Sequence, residues 1–506
     1  MQNSALFIIA YLLVQGQAKE CVPRKFNGEN IVCVCNSTYC DSVEVNALEK
    51  GGFASYLSSK SGARLTLEEG AFNPGESNVI QLKLNFQKTY QKILGFGGAF
   101  TDSVGINMKT LSEGSQEQLI RTYFSPEGSR YNLARLPIGG VDFSTRPYTL
   151  DDTPGDVNLS KFSLAQEDYE YKIPYMKRAL AINAELKFLS AAWTAPPWMK
   201  TNNDYFGFIG RLNEDYYQTY ADYLVKFLES YMDIGLPIWA ISTGNEPESG
   251  FHPTQKFNNM PWLPQSVATW VTNNLGPAIE ASNSNETIII ALDGQRFSLP
   301  WWVDNMYRAN PDVDKYIAGV GVHWYSDAET PPNVLDEMHN ISPKTFLLMT
   351  EACVETSRSG PVVDHLGSWN RGAQYMQSIM EYMHHWTVGW VDWNLALNKQ
   401  GGPNWVGNFV DAPIIINPET DEFFKQPMYY ALTHFSKFVP RGSIRISVGP
   451  HDDIGSVAFV TPNNTVVIIL HNSKNIEQLV TIVDPDQGNI NVKMPENSFR
   501  TILFKK

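Results

Sequence analysis

Two stretches decide the fold: Ile238-Trp239-Ala240-Ile241-Ser242-Thr243-Gly244-Asn245-Glu246-Pro247 and Thr345-Phe346-Leu347-Leu348-Met349-Thr350-Glu351-Ala352-Cys353. Each is an apolar run that ends in a glutamate. The glutamates stand 105 residues apart. That is close to three βα units of about 35 residues, the spacing expected when about 250 residues close eight units. Strands four and seven of a (β/α)8 barrel have this separation. Both glutamates would then lie at the C-terminal mouth, where such barrels keep their chemistry.

Working outward, eight runs fit the barrel: 93–100, 131–138, 186–193, 238–243, 287–292, 317–325, 345–350 and 388–397. Runs apolar along their whole length suit parallel strands covered on both faces. Amphipathic segments such as 214–231 separate them, and the helical stretch 427–438 would close the barrel. A doubly wound open sheet is the rival, but no Gly-x-Gly-x-x-Gly opens a helix after the first run. Outside the barrel the period changes to two, as in Val79-Ile80-Gln81-Leu82-Lys83-Leu84-Asn85-Phe86 and Ile444-Arg445-Ile446-Ser447-Val448. The expected architecture is α/β: a (β/α)8 barrel over 91–397 plus 428–442, and a discontinuous antiparallel β-sandwich over 46–90 plus 443–506. A small cysteine-bearing β domain, 19–45 plus 398–427, completes it.

The 506 residues are 43% apolar and 18% charged, enough for a large core, and the net charge of −14 argues against a nucleic-acid partner. Residues 1–18 read as a cleaved signal peptide: a ten-residue apolar core, Ala5–Val14, too short to span a bilayer, precedes Gly16-Gln17-Ala18. Four of the five cysteines (Cys21, Cys33, Cys35, Cys40) follow within twenty residues. In a secreted chain they imply two disulfides with three connectivities; no histidine lies among them to favour zinc. Sequons at Asn36, Asn158, Asn285, Asn340 and Asn463 fit the same secretory route, to the lysosomal lumen or the exterior. No metal or cofactor motif is present: His-Glu-x-x-His, the P-loop and the EF-hand pattern are all missing.

Residues just after each run would line the mouth. Strand two leads through Arg135 to Asp142, strand three to Trp193, and strand four to Asn245 and Glu246. Strand five gives Asp293 to Arg296, strand six His323 and Tyr325, strand seven Glu351, and strand eight Asp392, Trp393 and Asn394. Aromatic faces cover the C–H face of a pyranose, while carboxylates and amides bind its hydroxyls. Two facing carboxyls supply what glycoside hydrolysis needs, one proton donor and one nucleophile or base. Arg135 and Tyr325 are candidates to keep the nucleophile ionised.

At these residues the chain resembles glycoside hydrolase family 30, and within it the lysosomal acid glucosylceramidases. The resemblance runs from Cys33-Val34-Cys35 to the last strand. It is most specific in 92–102 (KILGFGGAFTD), Val322-His323-Trp324-Tyr325, Glu351-Ala352-Cys353-Val354 and 389–398 (GWVDWNLALN), and continues through 401–406 and Asn408-Phe409-Val410-Asp411. It implies a barrel joined to an immunoglobulin-like β-sandwich, disulfides Cys21–Cys33 and Cys35–Cys40, and no cofactor. It implies retaining hydrolysis of β-glucosylceramide to glucose and ceramide, with Glu246 as acid/base and Glu351 as nucleophile. Asp142, Trp193, Asn245, Trp393 and Asn408 match positions that hold the glucose, Tyr325 sits beside the nucleophile, and Arg135, His323 and Phe257 support them. A saposin-type activator and contact with anionic lipid membrane are also implied. The rival readings are a family member acting on another β-linked glycoside and a non-catalytic glycolipid-binding protein. Two positions depart from the pattern: a second aspartate expected after Asp293 is Gly294, and a mouth tyrosine is Gln255.

Overall fold

The computed structural model describes residues 18–506 except 29, 46, 47, 74 and 76, and the side chains of 358 and 359 are likewise left undescribed; the expected signal peptide thus lies outside the described residues apart from residue 18. Eight parallel strands close a barrel: Gly95–Ala99, Leu133–Ile138, Lys187–Ala192, Ile238–Ser242, Ile288–Gln295, Ile317–His323, Phe346–Glu351 and Thr387–Asn394. The eighth pairs with the first, Gly389 opposite Gly95 and Trp390 opposite Phe96, so no edge remains. Glu246 and Glu351 follow or end strands four and seven, as their spacing predicts.

The barrel interior is layered. Leu133, Leu189, Ala240, Ile290, Leu348 and Val391, from six different strands, pack into one apolar layer. Side chains two residues further along a strand share its face. Arg135, Thr350 and Trp393 therefore stand above Leu133, Leu348 and Val391, toward the mouth. Strand five breaks this rhythm. Its pairing with strand six slips between Leu292 and Gly294, and both Leu292 (φ 66°) and Asp293 (φ 58°) adopt left-handed backbone. This bulge turns Asp293 into the interior. Gly321 on strand six makes the room, since a Cβ there would lie 2.9 Å from the Asp293 Cα and 3.1 Å from the Thr350 hydroxyl.

Helices cover the outside. The helix Tyr217–Asp233 buries Tyr220, Leu224, Phe227 and Tyr231, one stripe at helical spacing. The helix Pro427–Ser436 ends two residues short of its expected limit and is buried on every side. It bridges the barrel, through Phe435 against Phe96, to a nine-stranded β layer, through His434 to Ser58 and Thr501. That layer runs from Gly488–Met494 at one edge to Thr66–Ala71 at the other. It is not wholly antiparallel as expected, because Gln478–Asp484 runs parallel to the start of the long strand Ile80–Lys92. A five-stranded sheet joins Pro23–Phe26 and Asn30–Asn36 to Glu422–Lys425, Ile414–Asn417 and Ala396–Asn398. The run 388–397, expected as one barrel strand, thus divides between the barrel and this sheet. The disulfides are Cys21–Cys33 and Cys35–Cys40, and Cys353 is free and buried.

Candidate active site

A cavity of about 500 Å3 opens at the C-terminal mouth of the barrel. Its lining includes Asp142, Trp193, Asn245, Glu246, Tyr325, Glu351, Trp393 and Asn408, with Gln255, Phe257 and Phe297 toward the rim loops. Strands two, three, four, six and eight and the loops after them thus bring together every substrate-binding position expected from the sequence. Arg135 and His323 lie beneath this surface, fully buried.

Arg135 is the hub. Its guanidinium donates to Glu351 Oε2, to Asn245 Oδ1 at 2.6 Å and to Asp293 Oδ2 at 2.8 Å. It also lies 4.9 and 5.4 Å from the ring centroids of Trp193 and Trp393, which stack on each other at 5.3 Å. The other oxygen of Glu351 accepts from the Tyr325 hydroxyl at 2.9 Å. Glu351 therefore has a donor at each oxygen, the arrangement that stabilises a carboxylate. Burial nevertheless pushes its carboxyl upward; His323 and Arg135 pull back, Glu246 adds to the rise, and the Tyr325 hydroxyl favours the anion.

Glu246 is positioned differently. Its backbone is left-handed (φ 45°), a strained conformation held by its N–H donating to the Asp293 carbonyl at 2.8 Å. Two donors meet at one of its oxygens, Oε1: Gln295 Nε2 at 2.7 Å and His323 Nδ1 at 3.0 Å. His323 Nε2 faces Asp293 Oδ1 at 3.2 Å. With a carboxyl oxygen at each ring nitrogen, the imidazolium can donate to both. Burial alone would lower it, but Glu351, Asp293 and Glu246 carry it up to about 10. Asp293, although buried, is held far below the usual carboxylate range by Arg135, His323 and the Thr350 hydroxyl. Within this network three carboxyls face two cations. The cluster is neutral when one carboxyl keeps a proton, and Glu246 Oε2 is the oxygen without a donor from the cluster.

Further out, Asp142 accepts from Asn404 Nδ2 at 3.1 Å and Asn408 Nδ2 at 3.0 Å. Burial pushes this carboxyl up to about 7. The nearest oxygens of Glu246 and Glu351 lie within 4.8 Å of one another, with a His323 nitrogen equally close. This trio is one of two metal-sized clusters among the described residues, but an imidazolium has no lone pair to offer an ion. In the other, Cys35 and Cys40 are joined by their disulfide beside Asp41.

Besides Arg135 and His323, four residues expected at the mouth are elsewhere. Asn394 is buried, its side-chain oxygen accepting from the Thr101 hydroxyl at 2.7 Å. Asp293 sits below the cavity and organises Arg135 and His323. Arg296 turns away to Glu381 and Asp327, bracing a loop to the helix Trp369–His384. Asp392 faces the outside of the barrel, where the Tyr375 hydroxyl donates to it at 2.7 Å. Gln295, expected at the mouth, lies there with its amide on Glu246, whereas Glu248 is not among the residues the sequence points to. Glu248 fills the space at Gly294, where a Cβ would lie 2.5 Å from its Oε2.

Residues 93–439 match the glycosyl hydrolase family 30 TIM-barrel domain, and 442–502 match the family's beta sandwich domain. The lysosomal acid glucosylceramidase of Mus musculus is 40% identical over 498 residues, 97% of this chain and 96% of the mouse protein. Among solved structures, SrfJ from Salmonella typhimurium superposes with a TM-score of 0.83 at 26% identity, covering 90% of this chain and 100% of SrfJ. The endo-beta1,6-glucanase BT3312 gives 0.80 at 27% identity, again over 90% and 100%.

Proposed function

This chain belongs to glycosyl hydrolase family 30, and on that premise we propose that it is a retaining β-glucosidase hydrolysing β-glucosylceramide to glucose and ceramide. The observation that carries the reading is the approach of Glu246 and Glu351. Their nearest oxygens come within 4.8 Å, the close approach that suits a retaining pair, whose carboxyl groups stand roughly 5–5.5 Å apart. Glu351, with a donor at each oxygen, attacks the anomeric carbon. Glu246 gives its proton to the glycosidic oxygen, and ceramide leaves as the alcohol. Glu246 then takes a proton from water, whose oxygen displaces Glu351 and releases glucose. Arg135 and the Tyr325 hydroxyl hold the nucleophile in line, while Asp142, Asn245 and Asn408 bind sugar hydroxyls beside the Trp193–Trp393 pair.

The identity to the mouse glucosylceramidase over nearly the whole chain favours ceramide as the aglycone. Phe251 and Phe297, exposed beside the cavity, offer apolar surface to a lipid. Contact with an anionic membrane and help from a saposin-type activator belong to this reading. So does passage through the secretory pathway to the lysosomal lumen, with a cleaved leader at 1–18. Asn158, Asn285, Asn340 and Asn463 are exposed and open to glycosylation, whereas Asn36 is half-buried. No helix among the described residues is long and apolar enough to cross a membrane.

The test is hydrolysis of glucosylceramide in mixed anionic vesicles, compared with β-1,6-glucan and xylan. Release of β-glucose first, with the sphingolipid strongly preferred, is expected. Preference for a polysaccharide would move the substrate to another branch of the family, and α-glucose as first product would overturn retention.

A further inference from the structure

We infer that Glu248 is a further carboxyl of the site and a positioning residue for the proton donor, seated in the space that Gly294 leaves open. This rests on the glucosidase reading for its consequence but on geometry for its placement. Gly294 has no side chain, and any Cβ there would lie 2.5 Å from Glu248 Oε2, 2.7 Å from Oε1 and 2.9 Å from the carboxyl carbon. A side chain at 294 and the observed seat of Glu248 therefore exclude each other.

From that seat Glu248 is tied to Glu246 through one residue. The Gln295 backbone N–H donates to Glu248 Oε1 at 2.5 Å, and the same residue's Nε2 donates to Glu246 Oε1 at 2.7 Å. Fixing the Gln295 backbone fixes the amide that aims Glu246, itself on strained backbone. Glu248 Oε2 is buried and has no hydrogen-bond partner. An unpartnered buried oxygen is tolerated far better in the neutral acid than in the anion. Burial, and then Glu246, accordingly push Glu248 up to about 7, against the Gln295 N–H and His323. The charged groups around it come from four elements. Glu246 and His252 share its loop, Asp293 lies on strand five, His323 on strand six and Glu351 on strand seven. Only His323 is an assured cation among them, and it is already engaged by Glu246 and Asp293.

The consequence has a definite sign. As pH rises toward neutrality Glu248 gains a negative charge beside Glu246. A like charge disfavours ionisation of a neighbouring acid, and a proton on the donor is what the first step consumes. Glu248 extends activity on the alkaline side.

The experiment compares kcat/KM against pH for a soluble aryl β-glucoside in wild type, Glu248→Gln, Gly294→Asp and the double variant Glu248→Ala/Gly294→Asp. Glu248→Gln keeps an acceptor for the Gln295 N–H but cannot ionise. Its alkaline limb should move down by about one pH unit, with the acid limb unmoved. Gly294→Asp alone should displace Glu248 and lose activity by at least about tenfold. The double variant, which returns one carboxyl to the same spot, should recover most of both losses. A Glu248→Gln profile that superposes on wild type, or a double variant no better than Gly294→Asp, overturns the inference. Carboxyl 13C titration of wild type, with Glu248→Gln to assign the resonance, gives a readout free of turnover: the Glu248 carboxyl should titrate at about 7, and titration in the ordinary glutamate range also overturns it. Failure of wild type to hydrolyse any β-glucoside would instead count against the glucosidase reading, and the titration would still decide the placement.

Discussion

Arg135 does more at this site than its single charge suggests. It joins Glu351, Asn245 and Asp293 and fills the space beside two tryptophan faces, so the proposed nucleophile, an amide and the aromatic pair share one anchor. Replacing it by methionine keeps volume but strands two buried carboxylates. Removing one partner of a buried pair costs about 3–5 kcal/mol, and the misaligned nucleophile should lower kcat/KM by at least about a hundredfold. Urea denaturation and steady-state kinetics of Arg135→Met check both, and wild-type behaviour in either would refute the role. Most of this site is legible in the sequence, because residues after a buried parallel strand have one place to go. Glu246 and Glu351 stand out by spacing, Trp193 and Tyr325 by position at the ends of their runs. Glu248 is not legible. It lies in a turn without periodicity, and its seat depends on a side chain missing from another strand. Asp392 misleads for a different reason. It neighbours Trp393, and alternation that sends the tryptophan to the cavity sends the aspartate to Tyr375.

At the scale of elements, the eight barrel strands are legible because burial on both faces forces continuous apolar runs. Strand ends are less so. The run 388–397 is apolar apart from Asp392 and Asn394 and reads as one strand, yet its last residues pair with Ile414–Asn417 in a different sheet. The parallel partnership of Gln478–Asp484 with Ile80–Lys92 joins residues about four hundred positions apart, and alternation is the same for either strand direction. The bulge in strand five is a third case. Two consecutive left-handed residues, Leu292 and Asp293, have no glycine to announce them at those positions, and the bulge alone delivers Asp293 to Arg135 and His323. Regular stretches follow from local pattern; irregular ones follow from what the site holds in place.

For the whole molecule, buried titratable groups set a pH preference. Burial holds Asp142, Glu248 and Asp327 up to about 7. A carboxyl raised above its unfolded value contributes stability below that value and loses it as pH climbs through the folded one, so these three weaken the fold between about pH 4 and 7. His434 and His471, which burial lowers to about 3 and about 4, act oppositely below about pH 6.5. Lys200 and Lys437, lowered by burial to about 7, contribute only above that pH. His323, raised to about 10, loses its contribution as pH rises, in the same sense as the carboxyls. Three carboxyls outweigh two histidines, so calorimetry should find an unfolding midpoint a few degrees lower at pH 7 than at pH 5. A higher midpoint at pH 7 would contradict this balance.

In the proposed mechanism Glu351 attacks the sugar while Glu246 supplies the proton. The most direct measurement is incubation with a mechanism-based cyclitol epoxide of glucose configuration, followed by peptide mass spectrometry of wild type and Glu351→Gln. One label per chain on the peptide carrying Glu351, coincident with loss of activity and absent from the Glu351→Gln variant, is the predicted result. Full inactivation with the label on any other residue would contradict it.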